Sequence, residues 1–377
     1  MDQYRREFPL LQSCTYLDNA SQGPLPVRSV EAIRAAVEKR ANPTLFGLDD
    51  AFDLPRKVRA LVARLIHAKP ESICLTHSTG HGINIAANCL DLHPGDKVLL
   101  VEKEFPSNVY PWLNLKRRGV EVQFLSNRGS SFDIGILEKA IDARSRVLAL
   151  SFVQFHNGFR HDLEALGQIC RENGLCFFVD GSQAIGAIEI DVNKVPVDML
   201  ASCAAKWLLS PMGAGFLYVS EALLHHINPD HVGWLSFLGE PAEGIFERLT
   251  QYDFHLPSDA TKFEVGSPLF LPLSGFQSSL ELILEVGVER IERHVQELLD
   301  HLLDFLQPGK IPVASSLDPR HRSTILSLAP PEVHSLHQKL RQHQVITSVR
   351  EGALRISPHF YNSVEDMDRL IEVLEQV

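Results

Sequence analysis

One lysine stands alone in an otherwise uncharged stretch. Between Met199 and Gly215 the only charged side chain is Lys206. An amine among apolar neighbours loses solvation, which favours its neutral form and makes it a nucleophile toward a carbonyl. Upstream, the apolar run Cys176-Phe177-Phe178-Val179 ends in Asp180, followed by Gly181-Ser182-Gln183. A carboxylate at such a strand end can hold a protonated ring nitrogen. The bland readings are a surface lysine and an aspartate capping a turn before Gly181. The chemical reading joins them: an amine for a carbonyl and an acid for a ring cation, the two protein parts that an electron-accepting pyridine cofactor needs most. Ser78-Thr79-Gly80-His81-Gly82 opens a helix after a strand. Free N–H groups and the helix dipole at that end favour a phosphate, and small residues let it approach the backbone.

These motifs keep their order and spacing along nearly the whole chain, from Tyr16-Leu17-Asp18-Asn19-Ala20 to Leu354-Arg355-Ile356-Ser357 and Tyr361-Asn362. On them the chain resembles a class V aminotransferase-type enzyme of the fold type I pyridoxal phosphate (PLP) family, in the superfamily that includes cysteine desulfurases. The resemblance implies a Schiff base to PLP at Lys206, with the freed amine later moving the Cα proton. It implies that Asp180 binds the pyridine nitrogen and that Gln183 bonds the phenolic oxygen. By the same resemblance Phe105 is expected to stack on the ring, and Ser78, Thr79, Gly80, His81 and Cys203 to form the phosphate and lysine surroundings. Ser267, in Phe263-Glu264-Val265-Gly266-Ser267, reaches the phosphate of a neighbouring subunit, so the implied assembly is a homodimer. The resemblance assigns to Arg355 the arginine that holds a substrate carboxylate by a bidentate fork, with Arg350 as competitor. Asn19 and Ala20 line the substrate entrance.

The chain also departs from the pattern. Desulfurases carry a nucleophilic cysteine on a loop shortly before the position of Arg355. No cysteine follows Cys203 here, and residues 345 to 354 are too few for that loop. Cys203 and Ala205 stand where desulfurases commonly show Ser and His. Phe155 stands where relatives place a polar group, with Gln154, His156 or Asn157 as compensation.

The elements that must position these residues alternate. Short apolar runs at Ile73–Thr76, Val98–Val101, Val120–Phe124, Val147–Leu150 and Cys176–Asp180 lie between amphipathic stretches. This pattern predicts an α/β fold with a mostly parallel sheet covered on both faces and ligands beyond the carboxyl strand ends. With the resemblance it predicts a seven-stranded PLP-binding large domain over 15–255, and a smaller α+β domain from 1–14 with 256–377. One long helix is expected from Phe276 to about Phe305.

Bulk properties narrow the class. A net charge of -11 without a basic stripe argues against nucleic acid as a partner. No apolar run follows the charged N-terminus or reaches membrane-spanning length, so no leader and no membrane partner are expected. Six scattered cysteines without CxxC spacing read as reduced thiols, which predicts a cytoplasmic protein. No metal is expected: the histidines at 225, 226 and 231, and the pair at 334 and 337, lack a completing set. Gly213-Ala214-Gly215 precedes a strand-like run, so the dinucleotide fingerprint fails. The expected function is a PLP enzyme acting on an amino acid or small amine through an external aldimine, an aminotransferase first. A Cβ–S lyase acting by β-elimination or an epimerase is the alternative. A non-catalytic PLP-fold regulator is the alternative of a different class, and it would normally lose Lys206 or Asp180.

Overall fold

The computed structural model describes residues 1–127, 132–237, 250, 252, 255–306 and 311–376. After β1 (Thr15–Tyr16), seven strands form the central sheet: β2 (Ile73–Thr76), β3 (Lys97–Val101), β4 (Glu121–Leu125), β5 (Ser145–Ser151), β6 (Cys176–Asp180), β7 (Met199–Cys203) and β8 (Gly215–Val219). Their spatial order is β2-β8-β7-β6-β5-β3-β4. β4, β3, β5, β6 and β7 run parallel, while β8 pairs antiparallel with both β7 and β2. β2 therefore points the same way as the parallel set, and the functional ends of β2, β5, β6 and β7 share one edge.

Alternation explains the near-continuous apolar runs. Leu99, Val101, Leu148, Leu150, Phe177 and Val179 enter one buried cluster. Their neighbours Val98, Leu100, Val147, Ala149 and Phe178 enter a second cluster on the opposite face. Both faces are buried there, so the central strands are apolar at successive positions, as in residues 98–101, 147–150 and 177–179, while the edge strand β4 keeps Glu121 and Gln123. The helices that cover them begin where the sequence supplies caps. Asp162 accepts the Ala165 N–H at 3.0 Å ahead of Leu163–Glu172, and Ser78 accepts the His81 N–H at 3.2 Å ahead of Thr79–Cys89.

The expected helix from Phe276 to Phe305 is two helices, Phe270–Val286 and Val288–Leu306. Gly287 divides them at φ 87°, a conformation that ends a helix and favours glycine. Beyond them, β9 (Leu326–Leu328), β11 (Ser348–Arg350) and β12 (Ala353–Ile356) form an antiparallel sheet in the order β11-β12-β9. β10 (Val345–Ile346) pairs parallel with β1. The segment after β1 stays on this part of the chain: the Asn19 N–H donates to the Ser357 carbonyl at 3.1 Å, and the Ala20 N–H to Ser357 Oγ at 3.0 Å.

Candidate active site

The four co-directional strand ends open on one cavity of about 250 Å³. β2 leads to Ser78, Thr79 and Gly80, and β5 ends at Ser151. β6 ends at Asp180 with Ser182 and Gln183 just beyond, and β7 ends at Cys203 with Lys206 beyond. Phe105, Ser107 and Phe155 complete the lining. Eight residues expected from the sequence thus meet in one place: Ser78, Thr79, Gly80, Phe105, Asp180, Gln183, Cys203 and Lys206.

Asp180 is buried, and its Oδ1 accepts the Ser182 N–H at 2.9 Å. Burial pushes its pKa up, while Ser182 and the charge of Lys206 pull it down. Such a carboxylate gains from a cationic partner in the cavity. Lys206 Nζ lies 5.3 Å from the Phe105 ring centroid. Phe105 is 41% exposed, so its ring is not consumed by the core. Phe155 meets it edge-on at 5.3 Å.

Gln183 has its orientation fixed from behind. The Trp207 indole can only donate, and its Nε1–H reaches Gln183 Oε1 at 2.9 Å. Nε2 is therefore the other atom, and it donates to the Ala20 carbonyl at 3.0 Å. One amide hydrogen is left for the cavity. Trp207 is held in turn by His359. The Phe360 N–H donates to His359 Nδ1 at 2.7 Å, so Nε2 carries the proton and donates to the Trp207 carbonyl at 3.1 Å. Burial pushes the pKa of His359 down to about 3, so the ring stays neutral.

At the opposite end, the N–H groups of Thr79 and Gly80 open a helix and have no intrahelical acceptor. A Cβ at Gly80 would meet only ordinary contacts with Ser107 and Ser78. Nothing within the chain demands glycine there, which leaves that approach to a ligand. Thr79 Oγ1 and Ser182 Oγ lie 2.6 Å apart, linking the two loops. His81 does not line the cavity. It stacks on His77 at 4.4 Å, and burial followed by that neighbour pushes its pKa down to about 4.

The remaining expected residues lie elsewhere. Arg355, on β12, is 1% exposed. It donates to the Phe155 carbonyl at 2.8 Å and to Ser21 Oγ at 2.6 Å, and its Nε has no partner. Asn19 is buried, accepts the Tyr361 hydroxyl at 3.0 Å and leaves its Nδ2 unpartnered. Ala20 is the acceptor for Gln183. Ser267 is exposed and outside the cavity of its own chain. Of the polar groups expected to offset Phe155, Gln154 turns to Glu104 and Asn157 to the Phe159 N–H, while the Nδ1 of His156 has no partner.

Sequence reasoning passed over Glu104. It is buried, and its carboxylate accepts from the Ser151 N–H at 2.8 Å, from the Ser151 hydroxyl, from Gln154 Nε2 at 2.7 Å and from Asn108 Nδ2 at 3.1 Å. Burial pushes its pKa up to about 7 against the donors from Ser151 and Asn108, and the charge of Asp180 adds to the rise. It ties the Phe105 loop to the end of β5. The available signal was an acid and an amide four residues apart around Pro106. Ser151, Trp207 and His359 were passed over because the contacts that tie them to the site, to Glu104, Gln183 and the Trp207 carbonyl, are remote in sequence.

Among the described residues no group of three or more His, Cys, Asp or Glu side chains could hold a metal, and no helix is long and apolar enough to cross a membrane. The cavity does fit PLP: a buried acid for the ring nitrogen, a spare amide hydrogen, an available aromatic face, a helix start for the phosphate and an amine across from it.

Comparison with known proteins agrees. The family model for Aminotransferase class-V matches residues 15–370. The chain is 28% identical to a probable cysteine desulfurase of Methanothermobacter thermautotrophicus, across 99% of this chain and 97% of that one. It is 27% identical to an isopenicillin N epimerase of Streptomyces clavuligerus, across 95% and 94%. A structure of C-DES with glycine covalently linked to its PLP cofactor shares the fold at a TM-score of 0.89, with 23% identity and 98% of each chain covered. The chain belongs to the class V aminotransferase family, with the fold type I architecture, and PLP is its cofactor.

Proposed function

We propose that this class V chain acts on a small amino acid or amine by moving the proton on its Cα, with transamination as its reaction. The observation that carries the reading is the pairing of Lys206 and Asp180 across one cavity beside the Phe105 ring. When bound, PLP supplies the electron sink that makes a Cα proton acidic. Lys206 anchors the cofactor and then carries the proton. Asp180 holds the ring nitrogen, Gln183 donates its spare hydrogen to the phenolic oxygen, and the helix start at Ser78, Thr79 and Gly80 takes the phosphate. Arg355 takes the substrate carboxylate, with Asn19 and Ala20 beside the entrance. Cys203 supports the lysine turn from the end of β7.

Sulfur transfer through a protein thiol does not fit. β11 and β12 are joined by only Glu351 and Gly352, both at positive φ (46° and 77°), the geometry of a tight two-residue hairpin turn. There is no loop here for a thiol to swing on, and no cysteine follows Cys203. A second reading, epimerisation or β-elimination at the same Cα, uses the same residues, and its epimerase form is favoured by the similarity to an isopenicillin N epimerase. The division into 15–255 and 1–14 with 256–377, the homodimer and the cytoplasmic setting belong to the same proposal.

The test begins with borohydride reduction of the purified holoenzyme and mass spectrometry. The cofactor should be fixed on Lys206, and attachment elsewhere or not at all overturns the assignment. An amino-acid panel assayed for keto acid, pyruvate, sulfide and loss of optical rotation then separates the reactions. Keto acid formation that depends on an amino acceptor supports transamination. Racemised or eliminated product replaces it with the second reading. Inertness toward the whole panel, with the cofactor in place, returns the regulator.

A further inference from the structure

Two guanidinium groups meet on a single hydroxyl. The β11–β12 register pairs Ser348 with Arg355 and Arg350 with Ala353. Residues two apart on one strand share a face, as do cross-strand partners, so Ser348, Arg350 and Arg355 lie on one side of the sheet. The segment carrying Asp18 and Ser21 covers that side. Ser21 Oγ accepts from Arg355 Nη2 at 2.6 Å and from Arg350 Nη2 at 2.9 Å, and donates to Asp18 Oδ1 at 2.8 Å. Its hydrogen-bonding capacity is full, and it holds one Nη2 of each guanidinium at one point, while the other Nη groups donate to the Val349 and Phe155 carbonyls.

Like charges so close repel, and burial strengthens the repulsion. Asp18 offsets it only in part. Its Oδ1 stands 3.5 Å from Arg355 Nη2 and already accepts from Ser348 at 2.7 Å and from Ser21. Among the described residues Asp18 is the only acid within ion-pairing distance of either arginine. Burial pushes the pKa of Arg355 down to about 10, Asp18 holds it up, and Arg350 adds to the fall. Arg355 Nε, almost wholly buried, has no acceptor. The group is therefore built with one positive charge in excess and at least one buried donor unmet.

We infer that Arg350 and Arg355 form one shared carboxylate site, and that Asp18 limits it to substrates bearing a single carboxylate there. The inference rests on the reading of Arg355 given under the proposed function and extends it to Arg350, Ser21 and Asp18. One carboxylate neutralises the group and gives Arg355 Nε its acceptor. A second carboxylate leaves the group negative beside Asp18, at the cost of an unpaired, partly buried charge. The favoured substrates are amino acids with uncharged side chains rather than aspartate-like or glutamate-like ones.

The probes are propionate and succinate, titrated calorimetrically into the PLP-loaded enzyme. Arg350→Gln and Arg355→Gln should each weaken propionate by roughly tenfold or more, and the double variant by less than the product of the two. Asp18→Asn should improve succinate relative to propionate by roughly tenfold. Arg350→Lys, which keeps the charge and loses the fork, should fall between the parent and Arg350→Gln, and it replaces that variant if the latter melts early. Parent-like propionate binding in both Arg350 variants overturns the inference and leaves Arg355 as the carboxylate residue. Parent-like binding in Arg355→Gln with loss in Arg350→Gln overturns the underlying reading instead. Multiplicative losses mean that the two arginines act independently and not as one shared group, and unchanged selectivity in Asp18→Asn removes the charge limit; either result overturns the inference, as does a parent enzyme that ignores propionate.

Discussion

Asp180 and Glu104 are two buried acids with opposite assignments. Asp180 faces the cavity with Ser182 donating to its carboxylate, which leaves room for a cation to be added to it. Glu104 lies behind, saturated by four donors. Asp180→Ala should therefore keep the cofactor on Lys206 but lose turnover by at least about 10²-fold, as expected when a preorganised charge is removed from the reacting group. Near-parent rates would make Asp180 structural. Glu104 should instead show itself in stability. In the unfolded chain it titrates near 4.5, and in the folded chain burial holds it near 7. At low pH both states keep the proton and the stability is complete. As pH rises through that window the unfolded chain gives up its proton first, so stability falls, by about 3 kcal/mol at most. Denaturant melts from about pH 4 to about pH 8 should show this loss in the parent and a flatter profile in Glu104→Gln. Parallel profiles would place the ionised form of Glu104 at home in the fold.

At the scale of elements, the turn that carries Lys206 is braced from two remote segments. Gly23 donates its N–H to the Ala205 carbonyl at 2.9 Å, and a Cβ there would run into the Lys206 carbonyl oxygen. His359 holds the Trp207 carbonyl from the C-terminal part. Gly23→Ala should lower the melting temperature and loosen the cofactor together, because the N-terminal segment can no longer seat on the lysine turn. A melting change with unaltered cofactor retention would confine Gly23 to packing. His359→Phe keeps a ring beside Trp207 but strands a buried carbonyl, at about 1–3 kcal/mol. Its distinguishing sign is weaker cofactor retention through the loosened Gln183 amide. Retention equal to the parent's would uncouple His359 from the site. These braces explain what the sequence could and could not disclose. Strands β2, β3, β5 and β6 were legible as short apolar runs between amphipathic stretches, and β4 as an alternating one. Lys206 and Asp180 were legible as charges at the ends of such runs. The chain from His359 through Trp207 to Gln183 was not, because its partners are joined only by folding. Gly287 was passed over because the apolar pattern continues unbroken on either side of the turn it makes.

At the scale of the whole molecule, the open question is where Ser267 acts. It is exposed and lies outside its own cavity, while Val265, Leu269 and Leu271 around it are also exposed. A run of large apolar side chains in water marks a surface that is covered in the working state, and the proposed cover is a second copy of the chain. If Ser267 serves the partner's phosphate, the sites are completed in trans, and a hybrid experiment decides it. A Lys206→Ala chain cannot anchor the cofactor. A Ser267→Asp chain places a negative charge against the phosphate and should load poorly, yet the substituted residue is exposed and should leave the fold intact. Neither homodimer should show the cofactor fixed by borohydride at parental occupancy. In a hybrid dimer, the site with an intact Lys206 receives its Ser267 from the other chain, which is unaltered, while the second site carries both lesions. Co-expressed and separately tagged chains should therefore regain one loaded site per dimer, at Lys206 of the Ser267→Asp chain. If Ser267 instead acts within its own chain, every site in the hybrid keeps one lesion and loading stays low. Parental loading of the Ser267→Asp homodimer would remove Ser267 from the site altogether.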